Sequence, residues 1–254
     1  MADEQLRLCI DRVVPDEYNP ARSAAARGMA QRMASLDPNL VFRPKMALPV
    51  AKMWENGTEV KCRFLDGSPK QRRKVEAKAH EWEQFANIAL TFVTTTDEQV
   101  RISFSADAGS WSALGTDALI EAYFPRFEPT MNYGWLKDDT DDAEYGRVVR
   151  HEFGHALGCI HEHQNPKAKL KWNKAEVYRV FSGPPNYWDR ASIDHNILNR
   201  YSMDHMNASA FDGDSIMLYF FPPSLFTDGR GTKQNDTISA LDKSFIGQMY
   251  PKDA

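Results

Sequence analysis

The chain has 254 residues, 42% hydrophobic and 26% charged, with a formal net charge of -4. That length suits one large domain or two subdomains around a buried core, and the slight acidic excess argues against a nucleic-acid partner, which calls for a basic surface. No apolar run approaches the ~20 residues of a membrane helix, and three widely spaced cysteines, Cys9, Cys62 and Cys159, argue against a disulfide framework and favour a reducing compartment.

The opening stretch, MADEQLRLCIDRVV, carries Asp3 and Glu4 and lacks the basic start and small-residue cleavage site of a secretory signal. A cytoplasmic location or leaderless export is therefore expected. NPARSAAARGMAQRMASL reads as a helix, and Pro38, Pro44 and Pro49 mark a connecting region after it. EVKCRFLDG alternates and ends in a turn, so a strand is expected there. SPKQRRKVEAKAHEWEQFANIAL is the clearest helix, with Val75, Ala79, Trp82, Phe85, Ala86 and Ala89 on one face. LTFVTT, QVRISFS and TMNYGWL are strand candidates, and DAGSWSALGTD between the last two reads as a glycine-containing loop. The acidic run DDTDD then opens a helix whose dipole favours it, and Gly158 closes that helix. Short helices are expected near Lys174–Val180 and Trp188–Leu198, with a last one from Ser239 to Tyr250.

The informative stretch is HEFGHALGCIHEH, residues 151–163, which holds four of the chain's seven histidines. On a helix, His151 and His155 share a face and their imidazoles reach one small cation. Glu152 sits about 100° round the axis, too far to be the obvious third ligand but near enough to touch a water beside the metal. Gly158 can adopt the left-handed conformation that ends a helix, so the chain turns and His161 arrives on the far side of the same cation. Three neutral imidazoles leave a position open, as a catalytic zinc requires and a structural one does not. The five fixed positions of His-Glu-x-x-His-x-x-Gly-x-x-His arise by chance about once in 10^7 starting points at ordinary residue frequencies. His163 lies outside the pattern and is expected behind the site or at the surface.

At these residues the chain resembles the metzincins, zinc peptidases with this extended motif. The resemblance implies a tight turn carrying a methionine beneath the metal, and DSIMLY supplies it with Met217. Within the metzincins the chain is most similar to the astacin subfamily. Glu162 follows the third histidine, SIMLY resembles their methionine turn, GSWSALG resembles their Gly-Cys-Trp-Ser loop, and TISALDKSFIGQMY resembles their closing helix. The implied fold is α+β: an N-terminal twisted mixed sheet with two long helices, an irregular, mostly helical C-terminal subdomain, and a zinc cleft between them. Residues 1–50 are then an extension or pro-segment, and 51–254 the catalytic domain, divided into 51–158 and 159–254.

The resemblance also implies roles. One catalytic Zn2+ is held by His151, His155 and His161. Glu152 is the general base, and Tyr219 ligates zinc or stabilises the developing oxyanion. Glu162 occupies the place where astacins bury their new N-terminus. Ser110 stands where those enzymes carry a loop cysteine, so the usual disulfides are missing, and Glu162 has either an internal cationic partner or an unprocessed chain around it. Cys9 is either a small buried hydrophobe or a thiolate that blocks the open zinc position, as in some metzincins.

The expected function is zinc-dependent endopeptidase, with an extended peptide or protein substrate added along a sheet edge near SWSALG, no nucleic-acid or membrane partner, and a monomeric state. The competing classes are a catalytically silent zinc-dependent peptide binder and a structural zinc domain. DDTDD suits calcium or a solvated helix entrance equally, and His195 and His205 read as surface residues.

Overall fold

A computed structural model describes residues 8, 9, 12, 14, 18, 48–49, 52–184, 186–200, 206–207 and 210–252. The alanine- and arginine-rich segment and His205 lie outside the described residues.

The first strand, β1 (Leu48–Pro49), stands apart from the main sheet. Strand β2 (Glu59–Phe64) alternates as expected, burying Val60 and Cys62. It pairs in parallel with β3 (Ala89–Phe92) on one side and β4 (Val100–Ser103) on the other. Strand β5 (Ser110–Ser112) lies at the edge, antiparallel to β6 (Met131–Tyr133), which pairs in parallel with β4. The order is β3-β2-β4-β6-β5, and the short β7 (Met206–Asn207) pairs with β1 instead. The stretch expected as a loop between β4 and β6 thus contains a strand. The strand is only three residues long, so its alternation is too brief to show, and β6 supplies the hydrogen-bonding partner.

Helix α1 (Pro69–Ala79) starts with a capping box between Ser68 and Gln71 and has proline in its first turn. It is shorter than its pattern predicts. After Ala79 the chain tightens into a 3-10 turn at Trp82–Gln84, where the Trp82 indole donates to the Arg150 carbonyl at 3.0 Å. Ala89 leaves the helical pattern altogether and pairs with Glu59 in the sheet. Strand pairing outweighs the weak helical preference of those last residues.

Helix α2 (Asp142–Ala156) carries the histidine motif. Its acidic entrance serves the helix: Asp141 accepts from the Glu144 N–H at 2.9 Å, and Lys74 pairs with Asp142 at 2.8 Å. Tyr145, Val148, Val149 and Phe153 pack into the core formed with Trp82, Val75, Ile102 and Met131. A side chain such as Phe153 contributes roughly 2–3 kcal/mol by leaving water, so this face holds the helix firmly under the cleft.

Beyond it lie α3 (Lys174–Phe181), α4 (Arg190–Ile193) continued by a π turn at Asp194–Leu198, and α5 (Ala240–Met249). A second core of Trp111, Phe124, Val177, Phe181, Ile197 and Phe221 lies on this side. The architecture is the expected mixed sheet with two long helices followed by an irregular helical half. Among the described residues, no helix is long and apolar enough to cross a membrane.

Candidate active site

Helix α2 ends in a tight reversal. Gly158 takes φ +96°, its N–H donates to the His155 carbonyl at 2.7 Å, and the Cys159 N–H donates to the Gly154 carbonyl at 2.9 Å. This is the paired closure of a Schellman turn. The last carbonyls of the helix are also capped from outside: the Trp54 indole donates to Ala156 at 2.7 Å and the Tyr250 hydroxyl to Leu157 at 2.8 Å. The reversal therefore has one defined direction, and it returns His161 to the helix face that carries His151 and His155.

The three imidazoles converge. His155 Nε2 lies 3.1 Å from His151 Nε2 and 3.0 Å from His161 Nε2. Their other nitrogens explain why a cation belongs between them. His151 Nδ1 meets the Ile216 carbonyl at 2.8 Å, and His155 Nδ1 meets the Cys159 carbonyl at 2.7 Å. A carbonyl only accepts, so each Nδ1 carries the proton and each Nε2 presents a lone pair. Lone pairs facing one another at 3 Å repel unless a Lewis acid joins them. Zinc held at 2.0–2.1 Å by tetrahedral nitrogens sets them about 3.3 Å apart, close to the spacing found. Burial, reinforced by the neighbouring imidazoles His155 and His161, pushes the His151 pKa well below its ordinary value. Burial, with His163 behind it, does the same to His161. Both rings are thereby kept neutral, as metal ligation requires.

The methionine turn forms the floor. Met217 is fully buried, and a Cβ on Gly154 would stand 2.4 Å from its sulfur. The glycine in the last turn of α2 is thus the space into which Met217 fits, a role the zinc pattern alone does not show. The turn is fastened to α5. Asp242, wholly buried, accepts from the Ile216 N–H and the Ser215 hydroxyl at 2.8 Å each and from the Ser239 N–H at 3.0 Å. Since the Ile216 carbonyl orients His151, Asp242 is linked to that imidazole through two hydrogen bonds. Sequence reasoning reached this residue only as part of the closing helix's resemblance.

Glu162 is buried beneath the third histidine. It accepts from Asn165 at 2.9 Å and from the Asp212 N–H at 2.8 Å, while its second oxygen has no hydrogen-bond partner among the described residues. Burial outweighs those bonds and pushes its carboxyl up to about 8. His163 is buried rather than exposed. Its Nε2 meets the Asn196 carbonyl at 2.9 Å, and its ring packs 5.4 Å behind that of His161. His195 is exposed, as expected.

The N-terminal segment enters this site. Cys9 Sγ joins the three imidazoles in one buried group whose possible ligand atoms lie within 4.8 Å of each other. The same thiol contacts Glu152 Oε2 at 3.1 Å, and the Tyr219 hydroxyl donates to the Cys9 carbonyl at 2.6 Å while also touching His161 Nε2. Arg12 pairs in parallel with Ala113, just beyond β5.

Three buried imidazoles on an interrupted helix above a methionine turn define a metal-dependent peptidase site, and one catalytic zinc fits it. Two solved structures of myroilysin are similar to this chain. The first is 42% identical, covers 82% of this chain and 100% of its own, and superposes with a TM-score of 0.79. The second is 41% identical, covering 79% and 86%, with a TM-score of 0.62. High choriolytic enzyme 1, a hatching-enzyme zinc-protease from the medaka fish Oryzias latipes, shares the fold at 18% identity and a TM-score of 0.53, covering 79% of this chain and 94% of its own. No protein-family model matches the chain, and no curated protein does. The chain belongs to the astacin-like zinc metallopeptidases of the metzincin group.

Proposed function

We propose that the chain is an endopeptidase in which Glu152 is the general base, His151, His155 and His161 hold the zinc, and residues 1–50 keep the catalytic unit, 51–254, latent. The observation that carries this reading is the position of the Cys9 thiol. It lies against the imidazole group and within hydrogen-bond reach of Glu152, and an attacking water needs that same pair of neighbours. With Cys9 in place, the space left among Trp135, Arg147, His151, Glu152 and Tyr219 is about 10 Å³, at the lower limit for one water.

Bound zinc supplies Lewis acidity toward water and the scissile carbonyl. The chain's own residues do the rest. Glu152, 1% exposed, takes the proton of the attacking water and returns it to the leaving amine. Tyr219, whose hydroxyl now donates to a peptide carbonyl, is placed to donate to the oxyanion that forms there. Met217 and Asp242 position the ligands from below. On the C-terminal side of Cys9, Arg12 pairs with Ala113 and Tyr18 packs against Tyr123, so the cleft continues past the three imidazoles along the sheet edge. Such a groove suits cleavage within a peptide.

The test is incubation with a peptide library, with and without chelator, followed by mass spectrometry. Internal cuts that vanish on chelation and return with zinc are expected. Trimming from chain ends alone, or cutting indifferent to chelation, would overturn the reading.

A further inference from the structure

The inhibitory segment also reports on what the groove prefers. Arg12, three residues beyond Cys9, has its guanidinium carbon 3.8 Å from the centre of the Trp111 ring. Within about 6 Å, such a cation is drawn to the ring's negative face. The indole cannot swing aside: Trp111 is 2% exposed and stacks on Phe124 at 6.2 Å with the rings 15° apart. Burial on the ring draws the guanidinium's pKa down. The backbone pairing of Arg12 with Ala113 sets this side chain on the strand where a substrate would lie.

We propose that the face of Trp111, beside the backbone of Ala113, forms a subsite that recognises an arginine or lysine side chain of an extended peptide substrate, and that Arg12 fills it in the latent chain. The proposal rests on reading the cleft as a peptide-binding groove. A neutral or acidic side chain forgoes the ring attraction. Cuts then cluster at a fixed distance, about three residues, from a basic residue.

The test uses the full chain carrying Cys9→Ser and Arg12→Glu, which removes two anchors of the segment. Two short fluorescent peptides, identical except for Arg or Gln at one position, are titrated and followed by anisotropy. The Arg peptide is expected to bind about five- to tenfold tighter, and adding Trp111→Phe, which keeps a ring in the stack on Phe124 but attracts a cation less, is expected to reduce the preference. Equal affinity of the two peptides, or binding of neither, overturns the proposal. Hydrolysis of the same peptides is scored separately: a binding preference without any cutting in zinc buffer supports the subsite and sinks the peptidase reading.

Discussion

Glu152 and Cys9 meet at the point where chemistry and latency compete. Glu152 is buried and accepts from the Cys9 thiol. Glu152→Gln is expected to keep the metal, because the three imidazoles and their carbonyl partners are untouched, while lowering turnover by about 10^2- to 10^4-fold. Metal analysis beside an activity assay checks both halves, and undiminished cleavage removes Glu152 from its role. Cys9→Ser should raise the basal rate of the full chain by about tenfold, the effect of roughly 1.4 kcal/mol less occlusion. Equal rates for the two proteins would assign Cys9 to packing. At this scale the sequence was highly informative about the imidazoles, because helical spacing and one glycine dictate their convergence. It was silent on Gly154, whose need is set by a methionine 63 positions later, and it left Cys9 open, because chain order places it 142 residues from His151.

Elements place these residues through contacts between segments distant in sequence. Helix α2 meets the methionine turn at Gly154, and the two opposing effects of filling that position can be weighed. Gly154→Ala gains about 0.5–1 kcal/mol of helix propensity. It also forces a methyl to 2.4 Å from Met217 Sδ and 3.3 Å from Trp82, and overpacking of this kind costs about 1–3 kcal/mol. Met217 is fully buried and Trp82 stands 3.3 Å from the same point, so the loss is expected to outweigh the gain. A lower thermal midpoint and weaker zinc retention are expected, and an unchanged melt with full metal content would mean that the floor yields. Periodicity located α1, α2 and α5 but overran the end of α1, where Trp82 turns to reach Arg150 and Ala89 joins the sheet. It also missed β5. A three-residue edge strand has too little alternation to be seen, and its hydrogen bonds are owed to β6.

Across the whole molecule, stability rests partly on charges tied between strands and loops. The Glu98 side chain is fully buried between Arg63 at 3.1 Å and Arg126 at 2.9 Å. Burial raises its pKa, but its backbone hydrogen bond and the two arginines prevail, and the net shift is downward. A carboxylate with a depressed folded pKa stabilises above its unfolded value, about 4.3. That contribution fades as pH falls through the lower folded value. Glu98→Gln is therefore expected to cost about 2 kcal/mol at neutral pH and progressively less as the solution is acidified below about pH 4. Parallel denaturation curves for the two proteins at all pH values would refute the linkage. Taken alone, the sequence determined the convergence of His151, His155 and His161, the mixed-sheet fold and the peptidase family, because these depend on spacing within single elements and on motifs read in order. Only the tertiary structure decided what lies in the cleft, which glycine the floor requires and which acid steadies the methionine turn. Those follow from close approaches between segments far apart in the chain, and local periodicity carries no record of such distances.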